Sequence, residues 1–191
     1  MTPETLRAAD GETITQLQRR DVVILVESEA LTITWSRYAP GEVGTELHVH
    51  REHTDAFYVL DGELTFGLGP DGEPVSVATG GFVAVPPNVV HSFRNDSDAE
   101  ACWLNFHAPD CGFAAYLRAA RDGVPDTRFD SFDPPADGGV PPGAATMAAS
   151  IGSAAVPGLG VVVRRAGPPA EDASFSFELG DGRVLDITAR R

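Results

Sequence analysis

Five histidines carry most of the chemistry open to this chain: His48, His50, His53, His91 and His107. Four of them fall in two short blocks. The first block runs from Gly41 to Gly62 and holds His48-Val-His50, His53 and Asp55. The second runs from Gly80 to Asn95 and holds Pro86, Asn88 and His91. Side chains alternate along a strand, so His48 and His50 point to one face. Two imidazoles side by side on an inward face make half of a metal site. Asp55 follows after a short turn and offers a hard oxygen ligand. The second block can return His91 to the same cavity. Imidazole and carboxylate together suit one divalent transition-metal ion, such as Fe, Ni, Co, Mn, Cu or Zn. A single histidine reads more simply as a hydrogen-bonded core or surface residue; the spacing of the set favours ligation. His53 is a replacement ligand by type, but its place in a turn implies solvent exposure. His107 lies outside both blocks and reads as structural or as pocket rim.

These blocks sit among short runs rich in Val, Ile, Thr and aromatic residues. Thr13–Gln16, Val22–Glu27 and Leu31–Tyr38 read as strands. Ala56–Leu60 and Leu64–Leu68 flank Asp61-Gly62, a hairpin signature. Val75–Ala78, Phe82–Val85, His91–Arg94 and Ala101–His107 continue the pattern. Such spacing predicts an antiparallel sandwich or barrel. Alternation places Phe57 on the face of Asp55 and Phe93 on the face of His91, so both are candidate pocket residues. Gly112–Arg121 is the clearest helix, with Phe113, Tyr116, Leu117 and Ala120 at helical spacing and Gly123 to end it. That helix is expected to pack on the barrel, over one mouth. Residues 125–143 are rich in Pro, Gly and Asp and read as an ordered loop or a linker. Residues 144–155 are ambiguous. Val161–Arg165, Ser174–Leu179 and Arg183–Thr188 read as three more strands.

The chain has 191 residues, 14 Lys+Arg against 28 Asp+Glu, and a formal net charge of −14. Its length suits one domain with extensions, or two small ones. The acidic balance argues against binding nucleic acid through phosphates or docking on anionic membranes. Every basic residue is arginine, which excludes a lysine Schiff base and a phosphate-binding lysine. No stretch reaches the roughly 18 apolar residues that a bilayer span needs. Met1–Asp10 lacks the layout of a secretory signal, so a cytoplasmic protein is expected. Cys102 and Cys111 are too few for a disulfide framework and read as reduced, partly buried thiols.

The two histidine blocks resemble those of the cupin superfamily. Its first block runs G, five residues, HxH, three or four residues, E, six residues, G. His48, His50, Asp55 and Gly62 fit, with Asp in place of Glu and Gly41 one residue further out. Its second block runs G, five residues, PxG, two residues, H, three residues, N. Gly80, Pro86, His91 and Asn95 fit, and Asn88 replaces the glycine. Asn tolerates left-handed backbone better than most residues. The resemblance covers roughly residues 13 to 107. It implies an all-β fold, an antiparallel jelly-roll barrel with metal inside, followed by a helix and extra C-terminal strands. Residues 1–110 would then be the barrel with its N-terminal strands, and 111–191 an extension packed on it. The chain looks most like the bacterial quercetin 2,3-dioxygenase-like monocupins. That likeness implies His48, His50, His91 and Asp55 as metal ligands, with Asp55 also the catalytic base. It also implies a small phenolic or enolisable substrate, and cupins usually pair as homodimers. Two other readings stay open: a non-catalytic ligand-binding cupin, and an isomerase or cyclase of secondary metabolism.

Overall fold

The computed structural model describes residues 3–124, 127–165 and 167–190. Met1 and Thr2 of the leader reading, and Pro125 and Asp126 of the loop reading, lie outside these. In chain order the first strands are β1 (Glu4–Leu6), β2 (Glu12–Gln16), β3 (Arg20–Ser28), β4 (Leu31–Tyr38), β5 (Val43–His48) and β6 (Thr54–Asp61). Then come β7 (Glu63–Leu68), β8 (Glu73–Ala78), β9 (Phe82–Val85), β10 (His91–Arg94) and β11 (Ala101–Ala108). One helix, α1 (Phe113–Asp122), follows. The chain closes with β12 (Thr146–Ala148), β13 (Ser153–Val156), β14 (Leu159–Arg165), β15 (Phe175–Glu178) and β16 (Arg183–Ala189). The ambiguous stretch 144–155 thus contributes two short strands.

The strands form three sheets. A seven-stranded sheet has the order β12-β9-β6-β11-β4-β3-β2. A four-stranded sheet, β5-β10-β7-β8, faces one side of it, and a five-stranded sheet, β1-β15-β16-β14-β13, covers the other. Strand alternation divides the side chains between the two cores. Leu31, Ile33, Ala56, Tyr58, Leu104 and Phe106 pack against Leu159, Val161, Leu185 and Ile187 of the C-terminal sheet. The intervening residues Tyr38, Phe57, Val59 and Trp103 pack against Leu64 and Phe66 of the four-stranded sheet. A sheet covered on both faces needs apolar residues at consecutive positions. This accounts for the run Ala56-Phe-Tyr-Val59, in which every residue is buried. The all-β expectation for the chain is met.

Helix α1 starts and ends at glycines in left-handed conformation, Gly112 (φ 86°) and Gly123 (φ 67°), which a side chain would strain. Asp110 accepts the N–H groups of Gly112 and Ala114 and fixes the entry to the helix. Arg118 forks between Glu12 and Glu27, and Arg121 reaches Glu12, so the helix is tied across β2 and β3. Its Phe113, Tyr116 and Leu117 face the interior of the barrel and border its cavity.

The C-terminal sheet shares a core with the barrel, so Leu159→Ala should weaken both together. Leu159 is fully buried, and its truncation should cost about 2–5 kcal/mol. Denaturant unfolding followed by far-UV and tryptophan signals checks this. One coincident, shifted transition is expected; two separate ones would show an independent C-terminal unit.

Candidate metal centre

The two sequence blocks meet at the inner end of the barrel. His48 closes β5 and pairs directly across the sheet with His91, the first residue of β10. Val49 forms a bridge to Phe132, and the chain turns so that His50 comes back beside His48. Asn88 has φ 65°, the left-handed angle for which the family pattern uses glycine. Its N–H donates to the His50 carbonyl and joins the two blocks. Asp55 lies on β6 opposite His107 of β11.

His48, His50, His91 and Asp55 bring ligand atoms within 4.8 Å of one another. His48 Nε2 is 3.2 Å from His50 Nε2. Asp55 Oδ2 is 3.3 Å from His91 Nε2 and 3.5 Å from His50 Nε2. Ligands bound about 2.0–2.2 Å from one ion stand roughly 3.0–3.5 Å apart, so the set has the size of a coordination shell. The shorter acid therefore reaches the cluster. The ring orientations carry a stronger statement. His48 Nδ1 meets the Glu46 carbonyl, His50 Nδ1 the Asp130 carbonyl and His91 Nδ1 the Val89 carbonyl. A carbonyl only accepts, so each ring holds its proton on Nδ1 and turns a lone pair outward on Nε2. The three lone pairs and a carboxylate oxygen face one another with no hydrogen between them. A cation is the group that this donor set fits.

Electrostatics agrees. Burial, then the neighbouring His91 and His50, push His48 down to about 3, which keeps the ring neutral. Burial pushes the Asp55 carboxyl up, but His107, His50 and His91 more than offset it and hold it well below the usual range.

Two other histidines lie beside this cluster, and the first departs from the sequence expectation. His53 was expected at the surface, yet it is fully buried. The reason lies in the stretch 125–143, which folds back over the turn. Asp130 accepts the N–H groups of Arg51 and Glu52 and the Nδ1–H of His53. His107, read as structural or as pocket rim, is buried and borders the cavity, with Phe113 of α1 stacked on its ring at 3.5 Å. It lies 2.8 Å from His53 Nε2 and 3.0 Å from Asn105 Oδ1. Asn105 in turn donates to Asp55 Oδ1. A continuous chain thus runs from Asp130 through His53, His107 and Asn105 to Asp55. Two neutral rings supply two N–H groups to the first three links, so one link lacks a hydrogen. Burial opposes an added proton and lowers His53 to about 4. Cys111 lies close to His53 and Asp130, but burial pushes its thiol up to about 11, so it presents no thiolate.

A cavity of about 570 Å³ opens above the ligands. Phe93 borders it as expected, beside Tyr38, Trp103 and Phe129. Phe57 does not. It shares the inward face but lies one layer deeper, between Phe66 and Phe93 at ring separations of 4.9 and 5.1 Å. Phe93 is held over it from the far side by Gly44, where any Cβ would collide with the Phe93 ring. Sequence reasoning missed Asn105, Phe129 and Asp130. Asn105 shares the face of His107 two residues on, a signal that period-two counting can find. Asp130 carries no local signal.

Two outcomes follow for the site. Asp130→Asn weakens the acceptor that holds the 50–53 turn and should lower metal affinity about 10–100-fold by calorimetry, with the fold retained. His48 in the unfolded chain takes a proton near pH 6.5, whereas the folded ring resists down to about 3. The unfolded state then binds more protons, so stability of the metal-free protein should fall as pH drops from 6.5 toward 3. Melting temperatures across that range check it, and His48→Gln should flatten the slope.

Comparison with known proteins places the same region. Residues 34–107 match the family described as the cupin domain. A 50-residue segment is 44% identical to the quercetin 2,3-dioxygenase of Bacillus subtilis, covering 26% of this chain and 14% of that enzyme. The chain therefore matches about a seventh of the length of this curated relative. The structure of KdgF from Halomonas sp. is similar with a TM-score of 0.48 and 18% identity, covering 56% of this chain and 94% of that one. The polyketide cyclase RemF from Streptomyces resistomycificus is similar with a TM-score of 0.46 and 19% identity, covering 53% and 76%. Both histidine blocks fold into one cluster inside the matched region, so residues 34–107 carry the cupin domain.

Proposed function

We propose that this protein is a metal-dependent oxygenase acting on a small phenolic or enolisable substrate. The observation that carries the reading is the donor set: three imidazole lone pairs and one carboxylate oxygen converge at the base of an aromatic-walled cavity. His48, His50, His91 and Asp55 would hold one first-row divalent ion. Such an ion supplies Lewis-acid polarisation of a substrate oxygen and, for a redox-active metal, a partner for O₂.

The chain's own residues prepare the rest. The backbone carbonyls of Glu46, Val89 and Asp130 hold the proton of each imidazole on Nδ1 and keep the rings aimed. Asp55 would hold the ion through Oδ2, which faces His91 Nε2, while Oδ1 takes the Asn105 N–H. A carboxyl held this low is a weak base, so the base role of Asp55 needs a substrate hydroxyl already acidified at the centre. Tyr38, Phe93 and Phe129 offer flat apolar surface to an aromatic ring. Helix α1 adds Phe113, Tyr116 and Leu117 to the cavity wall.

The test begins with elemental analysis and calorimetric titration with Fe²⁺, Ni²⁺, Co²⁺, Mn²⁺, Cu²⁺ and Zn²⁺. One ion per chain and a higher melting temperature are expected for wild type, and loss of both for His91→Ala. Oxygen-electrode assays on a panel of enolisable aromatics should then show O₂ uptake matched to product. Turnover that persists unchanged without O₂ would identify an isomerase or cyclase. A protein that takes up no ion would be a non-catalytic cupin.

A further inference from the structure

The cavity is polarised along its length. Besides Asp55, two acidic residues border it, Glu46 and Asp133. Both stand at the end that holds the metal ligands. Glu46 lies two residues before His48 on β5, and Asp133 follows Phe132, whose backbone bridges to Val49. Arg20 marks the opposite end. It opens β3 and pairs across the sheet with Tyr38, the last residue of β4. Arg20 and Val22 on β3, and Thr34, Ser36 and Tyr38 on β4, all border the cavity, as alternation along one inward face requires. Four strand steps, about 13 Å, separate Tyr38 from Thr34, which pairs with Asn105 beside Asp55. The Arg20 guanidinium lies over the Tyr38 ring, 4.4 Å from its centroid. From there Nη2 reaches the opposing sheet and donates to the carbonyl of Val43, the first residue of β5. His48 ends that strand five steps on, about 17 Å away. Arg20 therefore joins the two sheets at the end of the barrel remote from the ligands.

The charge at that end is not used up. Glu42 accepts from Nε of Arg20 and from Nε of Arg19, so one carboxylate serves two guanidiniums and a positive charge is left over. Asp21, the next residue, points to the other face and pairs with Arg37. Arg20 donates through Nε and Nη2, and Nη1 has no partner among the described residues. Its side chain keeps 31% of its surface open. Arg121, the other arginine at the cavity, is fully engaged: Nε and Nη2 go to Asp122 and Nη1 to Glu12. A chain with a net charge of −14 repels anions in general. A local positive surplus at one end of its cavity therefore selects where an anionic group can rest. A guanidinium presents planar, paired N–H groups, which match a carboxylate.

We propose that Arg20, backed by the Tyr38 ring, forms an anion subsite, which takes the carboxylate of an aromatic ligand at the end of the cavity opposite the metal ligands. This rests on the small-aromatic reading above and narrows it. The ligand is an elongated aromatic acid, with its phenolic or enolic oxygen toward His48, His50, His91 and Asp55 and its carboxylate toward Arg20. Glu46 and Asp133 disfavour the carboxylate at the other end and so set the direction of binding.

The test uses the full chain, metal-free and loaded with Zn²⁺, and two rod-shaped probes that differ only in charge at one end: 4′-hydroxybiphenyl-4-carboxylate and 4′-hydroxybiphenyl-4-carboxamide. By calorimetry at neutral pH, wild type should bind the carboxylate about tenfold more tightly, the size of a charge-assisted hydrogen bond. The preference should shrink as salt rises, because the guanidinium is partly open to solvent. Arg20→Gln should erase it and leave carboxamide affinity unchanged. Equal affinities in wild type, no binding of either probe, or a preference that survives in Arg20→Gln would overturn the subsite. If Arg20→Gln does not fold, NMR on wild type decides alone. Contacts from the carboxylate-bearing ring of the probe to the Tyr38 ring are expected; contacts from the hydroxyl-bearing ring instead sink the proposal. Failure of the metal reading shows separately, as absent heat on Zn²⁺ titration, and the metal-free arm still decides the subsite.

Discussion

Three backbone carbonyls set the chemistry of this protein. By taking the Nδ1–H of His48, His50 and His91, they fix each imidazole in one tautomer and turn its Nε2 lone pair toward a shared point. Lone pairs facing one another in a buried site repel unless a cation lies between them. The fold holds them there through backbone that cannot easily relax. His48 and His91 are locked in cross-strand register, and the Asn88 N–H ties the second block to the His50 carbonyl. The segment around Asp130 supplies both the carbonyl for His50 and the carboxylate that closes the turn. Removing a carbonyl is not possible by side-chain substitution, so the tautomers are as robust as the strands themselves.

The central sheet explains how so polar a cluster can be sustained. It is covered on one face by the C-terminal strands and on the other by the four-stranded sheet. Its inward face changes character along each strand. On β11, Trp103 belongs to the aromatic wall, Asn105 donates to Asp55, and His107 joins the imidazole group. On β6, Asp55 is followed on that face by Phe57 and Val59. Polar groups thus gather at one end of the barrel, where they satisfy each other, and apolar ones fill the other end. Burial without partners would be costly, and the chain of contacts from Asp130 to Asp55 meets nearly all of that demand.

The cavity takes its shape from positions far apart in sequence. Gly44 leaves room for Phe93, and Phe93 in turn shields Phe57. Helix α1 brings Phe113 onto His107 and is anchored by Asp110 and by the arginine pairs to Glu12 and Glu27. The acidic surplus of the chain is thus used partly to anchor this helix, through exposed pairs that are individually weak but act at one joint.

Spacing alone disclosed the barrel strands, the helix and the set of His48, His50, Asp55 and His91. Those readings depend on period-two alternation and on turn residues, which are local properties of the chain. The left-handed angle at Asn88 was legible only through the resemblance, because Asn stands where the family pattern has glycine. Depth and long-range closure were not. Phe57 has the correct face but the wrong layer, because the size and tilt of Phe93 decide which ring meets the cavity. His53 reads as a turn residue until Asp130, 77 positions away, caps the turn and buries it. His107, Asn105 and Trp103 read as ordinary strand residues, and only the pairing of β11 between β4 and β6 places them at the site. Alternation says which way a side chain points; what waits there is settled by the packing of segments that the sequence keeps far apart.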